Sequence, residues 1–143
     1  MSEPDDDIDL RGLRGARTLG WVGLATWAML GIALEAAHGL KLAGYLDDEL
    51  TRLLLTLAHA HGVALSLLLV VFAHAGAPLL SKADAWTSRL LTGAAVALPL
   101  GFALSSIAHP ESDPGIAILI VPIAGLALVI GLARVAFASW RSP

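Results

Sequence analysis

Four stretches without a single Asp, Glu, Lys or Arg dominate this chain: 18–34, 53–81, 90–110 and 114–133, of 17, 29, 21 and 20 residues and together 87 of 143. A helix rises about 1.5 Å per residue and the hydrocarbon core of a bilayer is about 30 Å thick, so about 20 mainly apolar residues cross it. Each stretch predicts a membrane-spanning helix, over about 18–40, 51–74, 86–108 and 114–138. The composition agrees, with 57% hydrophobic and 15% charged residues and a mean hydropathy of +0.76, where soluble domains run to roughly 45–50% and about 25%. Little chain is left over. This excludes a soluble catalytic domain, a nucleic-acid binder and a disulfide-stapled module. The absence of cysteine removes thiolate metal sites and cysteine nucleophiles as well.

Residues 1–16 read as a disordered, solvated acidic tail, rich in Glu3, Asp5, Asp6, Asp7 and Asp9. That acidic start does not match a removable signal peptide, so the first span is expected to stay in the protein. Basic residues near span ends resist translocation. Arg11, Arg14, Arg17, Lys82, Arg89, Arg134 and Arg141 fall on one side, against Lys41 and Arg52 on the other. Both termini are therefore expected in the cytoplasm, in a multi-pass protein of the bacterial inner membrane. Trp21, Trp86 and Trp140 at the inner edges and Tyr45 at the outer one are the aromatics an interface favours.

The connections carry helix punctuation. Asp47 and Asp48 suit a cap for the second span, Ser81 or Asp84 for the third, and Pro114 suits the start of the fourth. Short links favour antiparallel neighbours, so the expected architecture is all-α, an up-down four-helix bundle. Pro99 and Pro122 inside spans read as packing kinks. Gly20, Gly23, Gly31, Gly93, Gly101, Gly125 and Gly131 allow the close backbone approach by which helices associate in lipid.

An ionisable group within hydrocarbon is expensive and is a functional candidate by default. All five histidines lie in or beside the spans, and Glu35 lies within the first. Helical spacing puts Gly20, Trp27, Gly31, Glu35 and His38 on one face of span one. Arg52, Thr56, His59, Val63 and Ser66 form a polar stripe on span two, and Ser88, Thr92, Ala95, Pro99, Phe102, Ser106 and His109 a stripe on span three. Span four has no polar stripe and reads as scaffold or as a surface for lipid or a partner. By depth, Glu35, His38 and His59 converge in the outer half of the fold. His109 is a further candidate there or an interfacial cap, and His74 reads as interfacial.

Imidazoles with a carboxylate suit zinc, copper, iron or nickel, and imidazole is also the usual axial ligand of haem iron. The expected site is thus a transition-metal or haem site of Glu35, His38, His59 and His109, with Arg52, Thr56 and Ser106 in support. Glu35-x-x-His38 has the spacing by which di-iron bundles place two ligands on one helix face. His61 shares its face with Leu54, Leu57, Leu65, Leu68 and Phe72, so it is expected to meet lipid, a second subunit or a cofactor outside the main site. The segment Leu57-Ala58-His59-Ala60-His61-Gly62 resembles the His-x-His helices of haem-copper oxidase catalytic subunits and related membrane haem proteins, although the chain lacks their further spans and histidines. Leu34-Glu35-Ala36-Ala37-His38-Gly39, Tyr45-Leu46-Asp47 and the His59 segment together are similar to small bacterial four-span membrane proteins.

Three functions remain open on the sequence. The first is metal handling or electron transfer within a larger assembly or homo-oligomer. The second is a proton or ion pathway through Glu35, His38 and His59, since His titrates near neutrality. The third is a non-catalytic subunit of a respiratory or photosynthetic complex. In the blandest case Glu35 and His38 satisfy each other with Arg52 or Thr56. A self-contained enzyme is disfavoured, because no nucleophile, phosphate loop or catalytic carboxylate pair is present.

Overall fold

The computed structural model describes residues 4–80, 85–107, 109–110 and 113–141. Every regular element in it is helical: α1 (Pro4–Gly39), α2 (Ala43–Leu46), α3 (Glu49–Val71), α4 (Ala85–Ser105) and α5 (Ile120–Arg141). A π-helical turn (Phe72–Gly76) and a 3-10 turn (Ala77–Leu79) extend α3, and a 3-10 turn (Ile116–Leu119) leads into α5. Four segments are long and apolar enough to cross a membrane: Gly12–Gly39, Glu49–Leu79, Ala85–Ser105 and Ile116–Arg141. The protein is a multi-pass membrane chain.

Several boundaries have identifiable causes. Within the described residues the backbone of α1 is helical from Pro4 onward. Proline suits a first helical turn because its fixed φ is already helical and its missing N–H is not needed. At the other end of α1, Leu42 N–H bonds Ala37 C=O at 3.0 Å and Lys41 N–H bonds His38 C=O at 3.1 Å, the paired pattern that closes a helix by a left-handed residue. Lys41 holds that position with φ 53°. Asp48 caps α3, its Oδ1 accepting from Thr51 N–H at 2.9 Å. Gly115, with Pro114 before it, begins the turn ahead of α5. Ser81 and Asp84, expected to cap the third span, lie outside the described residues.

The helices pack in sequence order. α3 and α4 occupy the centre, α1 lies on α3, and α5 lies on α4. Among the described residues α1 and α5 share no substantial interface, while α1 makes a smaller contact with α4 beside its main one with α3. Accordingly 39% of the apolar window of α3 and of α4 is buried within the chain, against 6% for α1 and 11% for α5. The main core joins Leu65, Leu69 and Phe72 to Leu91, Ala95 and Leu98 and to Ala124 of α5. Arg134 Nε donates to Oγ1 of the fully buried Thr87 at 2.8 Å, tying α5 to α4.

The α1–α3 seam depends on missing side chains. A Cβ at Gly20 would lie 2.9 Å from the backbone oxygen of Ser66 and 2.8 Å from Cγ2 of Val70. At Gly62 it would lie 2.2 Å from Cγ and Cδ2 of the Trp27 indole. Lipid is as apolar as the helices, so their association depends on this close van der Waals fit.

Gly20→Ala is expected to lower thermal stability in detergent micelles by about 1–3 kcal/mol, since a backbone oxygen cannot move aside. Gly93→Ala, where a Cβ meets nothing within 4 Å, is expected to be neutral or stabilising by up to about 1 kcal/mol. Lys41→Gly is expected to raise stability by roughly 1 kcal/mol by relieving the left-handed conformation.

Candidate functional site

On the seam between α1 and α3 lies an open groove of about 1070 Å³. It is formed where the polar face of α1 meets the polar stripe of α3, with α2 folded back across one end. Glu35, His38 and Gly31 come from α1, Tyr45 from α2, and Glu49, Arg52, Thr56, His59 and Val63 from α3. Glu35, His38, His59, Arg52 and Thr56 therefore share one wall-to-wall site, although α1 and α3 are separate spans. At this size the groove is in the range that holds a cofactor or drug-sized molecule.

His59 is the fixed element. Its Nδ1 lies 2.7 Å from the backbone oxygen of Trp27 on α1. A carbonyl only accepts, so Nδ1 carries a hydrogen there. No partner among the described residues takes up Nε2, and the side chain lines the groove. Gly31 makes this possible: a Cβ there would come within 2.7 Å of Nδ1 and 2.9 Å of Nε2. An imidazole held by one nitrogen with the other presented to a cavity is how proteins orient a ligating histidine.

The rest of the groove is less constrained. Arg52 Nη1 donates to Leu46 C=O at 3.0 Å, which pins α2 against the start of α3. Glu35 and His38 are exposed to the groove and its opening. The described residues contain no group of three or more His, Cys, Asp or Glu placed to hold a metal ion. Glu35, His38 and His59 thus share the groove without forming a ready-made ion cage.

The other expected site residues lie elsewhere. His109 is not in the groove; its Nε2 lies 2.9 Å from Thr51 Oγ1 and 3.2 Å from Asp48 Oδ2, and its Nδ1 lies 2.8 Å from Pro110 C=O. Both nitrogens are engaged, so it has no lone pair to offer a metal. Asp48 and Thr51 meet the same ring nitrogen, so the three do not form a nucleophilic relay. Ser106 belongs to this second cluster, its carbonyl 3.3 Å from Thr51 Oγ1. His61 is turned toward α4, its ring centroid 5.2 Å from that of Phe102 and its Nδ1–H bonded to Leu57 C=O at 2.8 Å. The apolar face it shares is a helix–helix face within the chain, where lipid or a partner was expected. His74 bonds Val70 C=O in the same way at 2.8 Å.

Two groove residues escaped the sequence reading. Tyr45 was read only as an interfacial aromatic, and Glu49 not at all. Glu49 was legible, because 49, 52, 56 and 59 continue the same helical spacing by three, four and three. Tyr45 was not, since its place depends on the chain reversal at Lys41.

Comparison with protein-family models, with curated proteins and with solved structures finds no match.

Outside the spans, Asp48 has its carboxyl held below the ordinary 3.8, first by the Thr51 backbone N–H, then by the Thr51 hydroxyl, with the His109 charge adding to this against desolvation. A carboxyl lowered on folding contributes stability that is complete above its unfolded value and is lost as pH falls through its folded value. Stability is therefore expected to drop on acidification below about pH 3.8, and Asp48→Ala is expected to flatten that part of the profile. Thermal unfolding across an acid series measures both.

Proposed function

We propose that the α1–α3 groove is a haem site in which His59 is the axial ligand, and that the protein serves electron transfer or metal handling in a bacterial inner membrane. The observation that carries this reading is the His59 imidazole anchored through Nδ1 on Trp27 C=O, with Nε2 left for the groove. A bare zinc, copper or iron ion needs three or four protein donors at once, and the described residues do not gather them. A porphyrin brings four nitrogens of its own and needs one or two from the protein. One anchored imidazole in a large groove therefore favours the macrocycle over the ion.

Each remaining groove residue has a part in this reading. Gly31 leaves room for the imidazole to approach α1, and Trp27 C=O fixes its tautomer. Arg52 and His38 supply positive charge suited to propionate groups, and Glu35, Glu49 and Tyr45 set the polarity of the opening. Bound haem iron would supply one-electron chemistry. The open side of the groove and the weakly buried α1 and α5 favour a homo-oligomer or further membrane subunits, which would shield Glu35 from lipid.

The reading includes an up-down topology with both termini cytoplasmic and the groove toward the outer face, supported by the seven-to-two distribution of basic residues over the two sides. Because the chain has no cysteine, single introduced thiols report this directly. Asp113→Cys is expected to react with an impermeant reagent in intact cells, and Pro143→Cys only after lysis.

Protein purified from a haem-replete host is expected to show a Soret band at a fixed ratio to protein. His59→Ala is expected to lose that band, Gly31→Ala to weaken it by displacing the ring, and His61→Ala to retain it. A colourless protein, or full haem content in His59→Ala, overturns the assignment. Proton flux into liposomes by colourless protein, abolished in Glu35→Gln, would replace it with the proton-pathway function.

A further inference from the structure

The seam between α4 and α5 is tight at two heights and open between them. At one, a Cβ on Gly131 of α5 would lie 2.7 Å from Cδ2 of Leu91 on α4. At the other, a Cβ on Gly101 of α4 would lie 2.9 Å from Cγ2 of Val121 on α5. On each helix the two heights are about 15 Å apart, so the helices run close at both. Between them a Cβ at Gly93 would meet nothing within 4 Å, and the seam opens into a groove of about 430 Å³. Its floor is Ala94 and Ala124, 1% and 4% exposed. Leu90 and Ala97 on one side and Ile123 and Ala127 on the other form its apolar walls. One lining side chain is charged: Arg89, exposed, and one helical turn before Gly93 on the same face. Arg134 of α5 stands at that end too, bonded through Nε to Thr87, which is on the turn of α4 that carries Arg89. The groove shares no lining residue with the one between α1 and α3.

We propose that this groove holds an acyl chain of an anionic phospholipid whose phosphate is met by the Arg89 guanidinium. Arg89 lies in the opening turns of the Ala85–Ser105 span, at the level of the headgroups, while Gly93 and Ala97 lie one and two turns deeper, in the hydrocarbon. Charge at the membrane surface with an apolar channel below it is the complement of a phospholipid. The sign of the charge selects an acidic one, as basic pockets between membrane helices do, and a guanidinium meets phosphate oxygens through two parallel N–H donors. A zwitterionic headgroup carries a cation of its own beside the phosphate, which Arg89 and Arg134 repel. A second copy of the chain, inserted the same way up, would bring Arg89 to Arg89 across a two-fold axis at one depth. That like-charge contact disfavours a protein occupant and has no counterpart for an acidic lipid.

Native mass spectrometry of the full chain in detergent tests this, with phosphatidylglycerol and phosphatidylcholine of identical acyl chains. Wild type is expected to retain phosphatidylglycerol about fivefold better, the scale of one arginine at a membrane surface. Arg89→Gln is expected to remove that preference. Gly93→Leu, which fills the groove, is expected to lose the retained lipid. Gly125→Leu, at a position equally open to a Cβ but outside the lining, is expected to keep it, and equal helical content by circular dichroism shows that both variants fold. Glycerol phosphate, which has no acyl chain, is expected not to be retained. Equal retention of the two lipids by wild type, an unchanged preference in Arg89→Gln, or wild-type retention in folded Gly93→Leu overturns the proposal. So does retention of glycerol phosphate, or a lipid-free dimer that Gly93→Leu dissociates, which would put a second copy in the groove. The Soret band is expected to be unaffected by Gly93→Leu, so this outcome is separate from that of the α1–α3 groove.

Discussion

The close backbone approach of α1 to α3 is the contact on which the rest of the arrangement depends. In water, burial of apolar area would drive these helices together, but in lipid that force is absent and contact at short range must replace it. Gly20 and Gly23 admit Ser66 and Val70 of α3, Gly62 admits the indole of Trp27, and Gly31 admits the imidazole of His59. The same contact decides the chemistry. Only at that separation can a histidine on one span reach a main-chain oxygen on another. The α1–α3 seam is therefore both the structural joint and the wall of the groove.

A second constraint runs through the spans: polar groups at membrane depth need partners within the protein. His61 and His74 use the carbonyl four residues back on their own helix, and Ser105 and Thr26 do the same. Of the two histidines within α3, His59 is the one whose hydrogen bond crosses to a different helix, while His61 meets α4 only through its ring. That contrast separates a histidine satisfied locally from one that orients itself by tertiary contact. It also explains why five histidines in one small chain do not make one five-histidine site.

Much of this was readable in advance. Helical periodicity placed Gly31, Glu35 and His38 on one face of α1 and Arg52, Thr56 and His59 on one face of α3, because side-chain direction follows from spacing alone. What periodicity does not encode is which neighbour a face meets. The leucine-rich face holding His61 could equally have met lipid, another subunit or α4, and all three are apolar. His109 illustrates the same limit over a longer range, since its partners Thr51 and Asp48 stand 58 and 61 positions earlier in the chain.

The sequence by itself determined four apolar helices, their approximate ends, the Asp48 cap and the faces that carry polar groups, since charge, spacing and turn chemistry are local properties. Tertiary structure alone decided that α1 and α5 stay apart, that α2 folds over the groove, and that His59 finds Trp27 while His109 finds Asp48. The reason is geometric. Short connections make consecutive helices neighbours, but which further helices meet, and the pairing of atoms across them, depend on where small residues let backbones touch.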